Sequence, residues 1–582
     1  MYKLIIFISC LFFPLIAASQ KKTVIILEGA EKINYIQNSE AAFLRKPIFR
    51  HDNAILTCDS AVFYGGEKNY FEAFGKVHIN QADSVNIYSE RLTYDGNNKI
   101  AHLSQNVRML HRDAVLTTQF FDYRMAPKVG NYWDKGKIVA KDVTVNSKTG
   151  YYFANSRDAY FRYNVVAVTN QSTIKSDTLR FNVLKNLAYF YGPTNIIGKD
   201  DNLYTENGIY NTQTGDAVFG KNNLYTNGSK SLTGDSLFYY GEKGYGRAVK
   251  NIVFRDTKDK ILFKGDLGEY FKSDEKVLVT KNAYFGISTE DSVLVNDVKI
   301  PDTLWTRADT LSSLMVLKSS IKSIYPKNPE IKNLESYNLQ KIENKTSNEL
   351  PLNQTTSKSN NGKLGIVAPS NKEDSLKLDT VKSRIIVAYP NVKVYKSNLQ
   401  AKADSLFYSD ADSTIRWYKN PIIWAENSQQ TGDTIYLLMR NKKLHKTETF
   451  GNGFIVNVEG DSTNFNQIKG SRITGNFIEG EINNINVVGN AETIYFNREK
   501  GKIKDMHQSF AGSIRFEFKD KALSSIEWSD QSEGKLTPVE NIKGENILTG
   551  FIWKPELRPQ SKQDIIGKKL EPKLVVKEKP KK

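Results

Sequence analysis

Short runs in which apolar and polar residues strictly alternate, each closed by Gly, Asn, Asp or Ser, constrain this chain more than any other feature. The stretch Phe74–Tyr94, FGKVHINQADSVNIYSERLTY, shows the unit. Val77 and Ile79 fall on one side and Lys76 and His78 on the other. A polar break, Asn80-Gln81-Ala82-Asp83-Ser84, supplies a turn. The alternation resumes at Val85 and Ile87, breaks at Ser89-Glu90, and resumes with Leu92 and Tyr94. A period of two between turn-forming residues is the pattern of short, half-buried strands.

The unit recurs. Asp-Ser/Thr followed by apolar and aromatic residues stands at Asp59-Ser60, Asp177-Thr178, Asp235-Ser236, Asp404-Ser405 and Asp433-Thr434, and spacings such as 59 to 83, 235 to 266 and 404 to 433 cluster at 24 to 31 residues. Between them lies a second element, an Asn or Asp ahead of an alternating pair: Asn106-Val107, Asp142-Val143, Asn251-Ile252 and Asn391-Val392. Gly489-Asn490-Ala491 takes the turn slot of a late copy. Self-similarity of this kind implies a stacked, quasi-one-dimensional architecture. No long helical periodicity interrupts Lys21–Thr310. Tyr and Phe, 30 each, gather at strand ends beside Val, Ile and Leu, as suits a pleated surface with one buried face. The fold class is therefore all-β, of stacked antiparallel strands with an apolar inner face. The open edges of such a stack invite joining by strand addition.

The organisation follows from where the pattern stops. Residues 1–19 combine Lys3, an apolar run from Leu4 to Ile16 and Ala17-Ala18-Ser19, the form of a secretory signal peptide. The apolar run is shorter than the ~20 residues of a membrane span. A first β block is expected over 20–310. A Lys-, Asn- and Ser-rich flexible linker is expected over 311–380, a second β block over 381–555, and a basic disordered tail over 556–582.

The formal charge is +17, and +16 once Lys3 leaves with the signal. Residues 554–582 hold ten Lys/Arg against four Asp/Glu. That balance favours an anionic surface or a phosphorylated glycolipid, and export argues against nucleic acid. With the signal removed, Cys58 is the one cysteine left, so no internal disulfide forms. Its slot in other repeats holds Gly234, Ala403 and Gly432, which makes it a small-residue position rather than a nucleophile.

Motifs for chemistry are missing. His51, His78, His102, His111, His445 and His507 are scattered without metal-ligand spacing, and no HExxH, Gly-x-Ser-x-Gly, P-loop or dinucleotide fingerprint occurs. The recurring Asp59, Asp83, Asp235, Asp404 and Asp433 read as turn residues whose side chains bond nearby backbone. Neither an enzyme nor a cofactor is expected. The apolar face is the functional candidate. A closed core and a lipid-holding groove share one pattern, but almost no amphipathic helix is present to cover the inner face.

Gly75-Lys76-Val77-His78-Ile79 followed by Asp83–Tyr94 resembles the repeat of the organic-solvent-tolerance (OstA, or LptA) family of lipopolysaccharide-transport proteins, and two regions, 21–310 and 384–553, look similar to it. The resemblance implies an open β-jellyroll, repeated in two blocks, whose inner groove shelters lipid A acyl chains. It makes Val77, Ile79, Val85, Ile87, Val107, Met109, Val143, Val145, Leu237 and Tyr239 candidate groove positions. It also implies a periplasmic location, with the outer-membrane surface as a further contact. The implied partners are lipopolysaccharide or another anionic glycolipid, and other jellyroll transport proteins joined edge to edge. The chain departs from the family in its length, its linker and its lack of a C-terminal membrane barrel. A structural or adhesive β-solenoid without lipid cargo stays open as the alternative, and a polysaccharide-cleaving stacked-β enzyme as a third.

Overall fold

The alternating runs form antiparallel strands in the computed structural model, which describes residues 23–35, 40–81, 84–141, 143–295, 298–321, 381–441, 443–459, 463–544 and 546–567. The expected signal peptide, Asp83, Asp142, the linker beyond residue 321 and residues 568–582 lie outside them. The chain divides into two units, Met1–Gly215 and Asp216–Lys582.

A local backbone device shapes both units. Long strands carry two consecutive left-handed residues near their middle: Gly75-Lys76 (φ +71°, +47°), Gln105-Asn106, Asp134-Lys135 and Tyr163-Asn164 in the first unit. Lys250-Asn251, Gly451-Asn452 and Gly489-Asn490 repeat the device in the second, and Lys281-Asn282 sets the same pair between the strands Lys276–Thr280 and Tyr284–Val295. Several ladders shift register there, between Phe74 and Val77, Val249 and Ile252, and Val488 and Ala491. Such bulges bend a strand sharply, and Gly or Asn is the residue that accepts a left-handed backbone at least cost. The bend turns each strand back on itself, so its two halves present their apolar residues to one another.

This corrects one turn assignment: Gly489-Asn490 is a mid-strand bend within Glu481–Glu499. The polar break after Ile79 does hold the connection between Tyr70–Gln81 and Val85–Asp95, with Asn80 and Gln81 still in the first strand. The bend also reassigns two of the recurring aspartates, Asp235 and Asp433, which Asp266 and Asp309 join in the same role. In the second unit the carboxylate of Asp235 accepts from Asn251 Nδ2 (3.1 and 2.9 Å), Asp266 from Asn282 (2.7 Å), Asp309 from Asn391 (2.7 Å) and Asp433 from Asn452 (3.1 Å). The backbone N–H of each aspartate bonds the residue before that Asn. The aspartates thus pin the bend of a neighbouring strand instead of closing their own turn. Asn251→Ala should therefore destabilise the second unit by about 1–2 kcal/mol, through the left-handed cost borne by alanine and the lost bonds. Asn251→Gly, which loses only the bonds, should cost less, as read by urea titration.

In the first unit, hairpin-linked strands run from Tyr70–Gln81 through Val85–Asp95, Ile100–His111, Ala114–Arg124 and Val129–Ala140. The next rung is split into Val143–Ser147 and Thr149–Phe153, and Asp158–Val168, Thr173–Asn182, Leu187–Ile197 and Asp201–Asn211 follow.

The second unit departs from the expected boundaries. The linker was expected from residue 311, but Thr310–Leu317 is a strand paired with Lys382–Tyr389, and Val298–Arg307 pairs with Val392–Lys396. One buried cluster joins Phe263, Phe285 and Leu311 to Ile386, Val394, Trp417 and Ile435. The composition shift therefore marks an insertion between neighbouring strands, not a boundary between two blocks. The tail is corrected as well. Residues 556–567 are folded, with a 3-10 turn at Pro555–Leu557 and a short helix at Gln563–Ile566 whose Ile565 is buried. The Lys and Pro content concealed this anchoring residue.

Candidate functional site

Cross-strand register places the interior of the first unit in two rows. One runs Phe49–Leu56–Ile79–Ile87–Met109–Leu116–Ile138–Val145–Ala167–Ile174, each residue opposite the next on the neighbouring strand and all buried. The other lies on the far halves of the bent strands: Phe71–Tyr94–Ala101–Tyr123–Gly130–Tyr152–Ala159–Phe181. From Tyr94 onward large and small residues alternate there, which lets rings interdigitate at native density. The small positions are obligatory where rings lie over them. A Cβ added at Gly130 would stand 2.1 Å from Phe121 Cζ, and one at Gly150 would stand 2.6 Å from Tyr132 Cζ.

Eight of the ten candidate groove residues, from Val77 to Val145, sit on this buried side of their strands, and Leu237, in the second unit, is buried as well. Tyr239 is not, at 37% exposure, because its cross-strand neighbours are Gly246 and Ala217, which cannot enclose a ring. Side chains fill much of the face; the space bounded by Met109, His111, Ala114, Leu116, Ile138 and Tyr152 is only about 10 Å³. Cys58 is buried, its Sγ donates to Ser60 O (3.2 Å), and burial pushes its thiol up to about 12. Gly234, Ala403 and Gly432 are also buried, as a small-residue slot requires.

A polar ladder that the sequence reading missed joins the two rows at the open ends of the bent strands. Tyr94 Oη lies 2.6 Å from His51 Nδ1, Tyr123 Oη donates to Gln81 Oε1 (2.7 Å), and Tyr152 Oη lies 2.8 Å from His111 Nδ1. All six residues are at most 5% exposed. His51 Nε2 lies 2.7 Å from the Thr23 hydroxyl and 3.2 Å from the Thr23 carbonyl, so both ring nitrogens are hydrogen-bonded and the imidazole is fixed in orientation. The signal was present as equal spacing: Tyr94, Tyr123 and Tyr152 are 29 apart, and His51, Gln81 and His111 are 30 apart.

Burial holds both His51 and His111 below the usual histidine range and raises the Tyr94, Tyr123 and Tyr152 hydroxyls. The folded state thus favours neutral imidazole, and below about pH 6.5 the unfolded chain binds more protons. Stability from these groups is present above that pH and lost as pH falls through the depressed folded values. The melting temperature of the first unit should drop between pH 7 and 5. A His51→Gln/His111→Gln variant, copying the native Gln81 rung, should flatten that slope.

A cavity of about 320 Å³ opens beside the ladder, lined by His51, Asp52, Asn53, Gln81, Tyr94, Lys99, Met125, Ala126 and Lys128. Lys99 Nζ lies 2.5 Å from Asp52 Oδ2, and this partner holds the Asp52 carboxyl below its ordinary range.

Residues 22–177 and 170–233 match the OstA-like protein family. Residues 22–233 are OstA-like. All three ladder rungs and eight of the ten candidate groove residues fall inside the OstA-like region; Leu237 and Tyr239 lie just beyond it. Among solved structures, the chain is similar to LptH, the LptA homologous periplasmic component of the conserved lipopolysaccharide transport device from Pseudomonas aeruginosa. The identity is 11%, over 24% of this chain and 95% of that one, with a TM-score of 0.19. No curated protein matches the chain.

Proposed function

We propose that this protein binds and carries lipopolysaccharide in the periplasm during outer-membrane assembly, sheltering lipid A acyl chains against the inner rows of its OstA-like region. The observation that carries the reading is how those rows are closed. The open ends of the bent strands are joined by side-chain hydrogen bonds, Tyr94–His51, Tyr123–Gln81 and Tyr152–His111. Parting them breaks no ladder bond. Each such bond contributes about 1 kcal/mol net, while a buried methylene contributes about 0.8 kcal/mol. About ten acyl methylenes would therefore more than offset opening the three rungs. Lys99 and Lys128 at the neighbouring cavity suit a lipid phosphate through charge-assisted hydrogen bonds.

Terminal strands supply the means of joining to other jellyroll proteins. Ile26–Gly29 and Lys32–Tyr35 carry exposed apolar side chains, with Ile26 at 56% and Tyr35 at 75%. Those are surfaces that an added strand would cover.

Photo-crosslinkers placed at Ile79 or Ile87 should capture lipopolysaccharide in cells, and those at Lys76 or His78 should not. Equal labelling of both faces would refute the groove. Depleting the protein should strand newly made lipopolysaccharide at the inner membrane. The tight packing of the two rows favours the second reading, a structural β stack without cargo, which predicts lipid-free protein in native mass spectrometry.

A further inference from the structure

We propose that the second unit contains a peptide-binding seat, occupied here by the chain's own residues 546–566. This strap belongs to no strand. It is held by three buried glutamine side chains of one cross-strand row, Gln400–Trp424–Gln429–Val456–Gln467, and it runs back along them against the direction of the chain. Gln467 Nε2 donates to Asn546 O (2.8 Å), and its Oε1 accepts from Leu548 N (2.8 Å). Gln429 repeats the arrangement, with Nε2 donating to Ile552 O (2.7 Å) and Oε1 accepting from Lys554 N (2.8 Å). Trp424 Nε1 donates to the same Oε1 (3.1 Å). Gln400 Oε1 accepts from Arg558 Nε (2.7 Å), and Arg558 Nη1 donates to Glu426 O (2.9 Å). The strap ends with Lys562 Nζ 4.0 Å over the Trp305 ring and with Ile565 buried against Val298–Arg307 and Val392–Lys396.

The ligand class follows from the donor pattern. A carboxamide offers one donor side and one acceptor side, as a strand edge does. Gln467 and Gln429 each read the C=O of one residue and the N–H of the residue two further on. Such a pattern is presented by an extended polypeptide and not by an acyl chain. Apolar residues fill the spaces between. Leu548, Phe551 and Trp553 pack with Phe454, Val456, Ile494, Phe496 and Met506, and Phe465 meets both strap rings at 5.2 and 5.6 Å. Because side chains rather than a ladder hold it, the strap can leave with the sheet intact, and the seat it vacates is apolar. The proposal is independent of the lipid reading of the first unit.

The test uses the full chain with a protease site inserted between the exposed Lys543 and Gly544, cut only after folding. A fluorescent synthetic peptide of residues 546–567 should then exchange with the severed strap and saturate at one per chain. N-methylation at Leu548 and Lys554, which removes the two N–H groups that the glutamines read, should weaken competition at least tenfold. Gln467→Leu with Gln429→Leu should speed strap release by a similar factor. If the strap leaves only at the denaturant concentration that unfolds the sheet, or if the N-methylated peptide competes as well as the parent, the seat is ordinary core and the proposal is wrong.

Discussion

Gly130→Val should abolish cooperative folding of the Met1–Gly215 unit, and Phe121→Ala in the same chain should restore part of it. A Cβ at position 130 would stand 2.1 Å from Phe121 Cζ and 2.6 Å from Cε2, well inside any van der Waals contact. Phe121 is fully buried, with Leu103 and Tyr132 opposite it on the neighbouring strands, so its ring has no free side to move toward. Overpacking usually costs about 1–3 kcal/mol, and an overlap this deep, with valine's methyls added, exceeds that range. A domain has only about 5–15 kcal/mol to lose. Phe121→Ala alone should cost about 3–5 kcal/mol. The double variant should lose less than the two losses added, because the ring that creates the overlap is gone. Circular dichroism melts of the four proteins measure the coupling. Additive losses would mean that the ring and the glycine do not meet.

The physical character of each signal explains why some features were legible in the sequence and others were not. The inner rows could be read because alternation is a local property. Val77, Ile79, Val85 and Ile87 were placed on one face, and all four are buried. The break seen at Ser89-Glu90 is a real register shift between Tyr88 and Arg91. The bends were misread because a left-handed pair and a hairpin turn draw on the same Gly and Asn residues. Only the length of the following alternation separates Gly489-Asn490 from a turn. The aspartates were placed correctly ahead of strands, yet their partner is an Asn 16 to 19 residues away on another strand in three of the four pairs, beyond the reach of a local argument. The strap was hidden for a different reason. Composition averaged over 554–582 is basic and Pro-rich, and it conceals Arg558 and Ile565, which fasten the far end of the strap.

The two units show a common principle of closure carried out by different means. A bent antiparallel stack has an open side wherever its strand halves separate, and buried polar side chains at that side can act on whatever approaches. In the first unit Gln81 meets Tyr123, a side chain of the opposite half; in the second, Gln429 and Gln467 meet the backbone of residues 546–554. The same amide chemistry thus gives a reversible rung in one unit and a peptide seat in the other.

Met109→Ala tests whether the closed interior of the first unit can admit lipid. Met109 is 1% exposed, stands between Ile87 and Leu116 in the apolar row, and borders a small space shared with Leu116, Ile138 and Tyr152. Truncation should cost about 2–5 kcal/mol, the transfer loss plus the cavity left behind. Urea titration of the first unit's transition gives that number. The informative step is the response to ligand. A small apolar molecule such as benzene should stabilise the variant and leave the wild type unchanged, since only the variant offers it a dry cavity. Lipid A in detergent below its micellar concentration should raise the melting temperature of both proteins, by the equivalent of about 2.7 kcal/mol at a hundredfold excess over its dissociation constant. On the proposed function its acyl chains would enter by parting the Tyr94, Tyr123 and Tyr152 rungs rather than by filling a void. If lipid A fails to shift the wild type while benzene still shifts the variant, the rows are a solid core and the protein does not carry its cargo there.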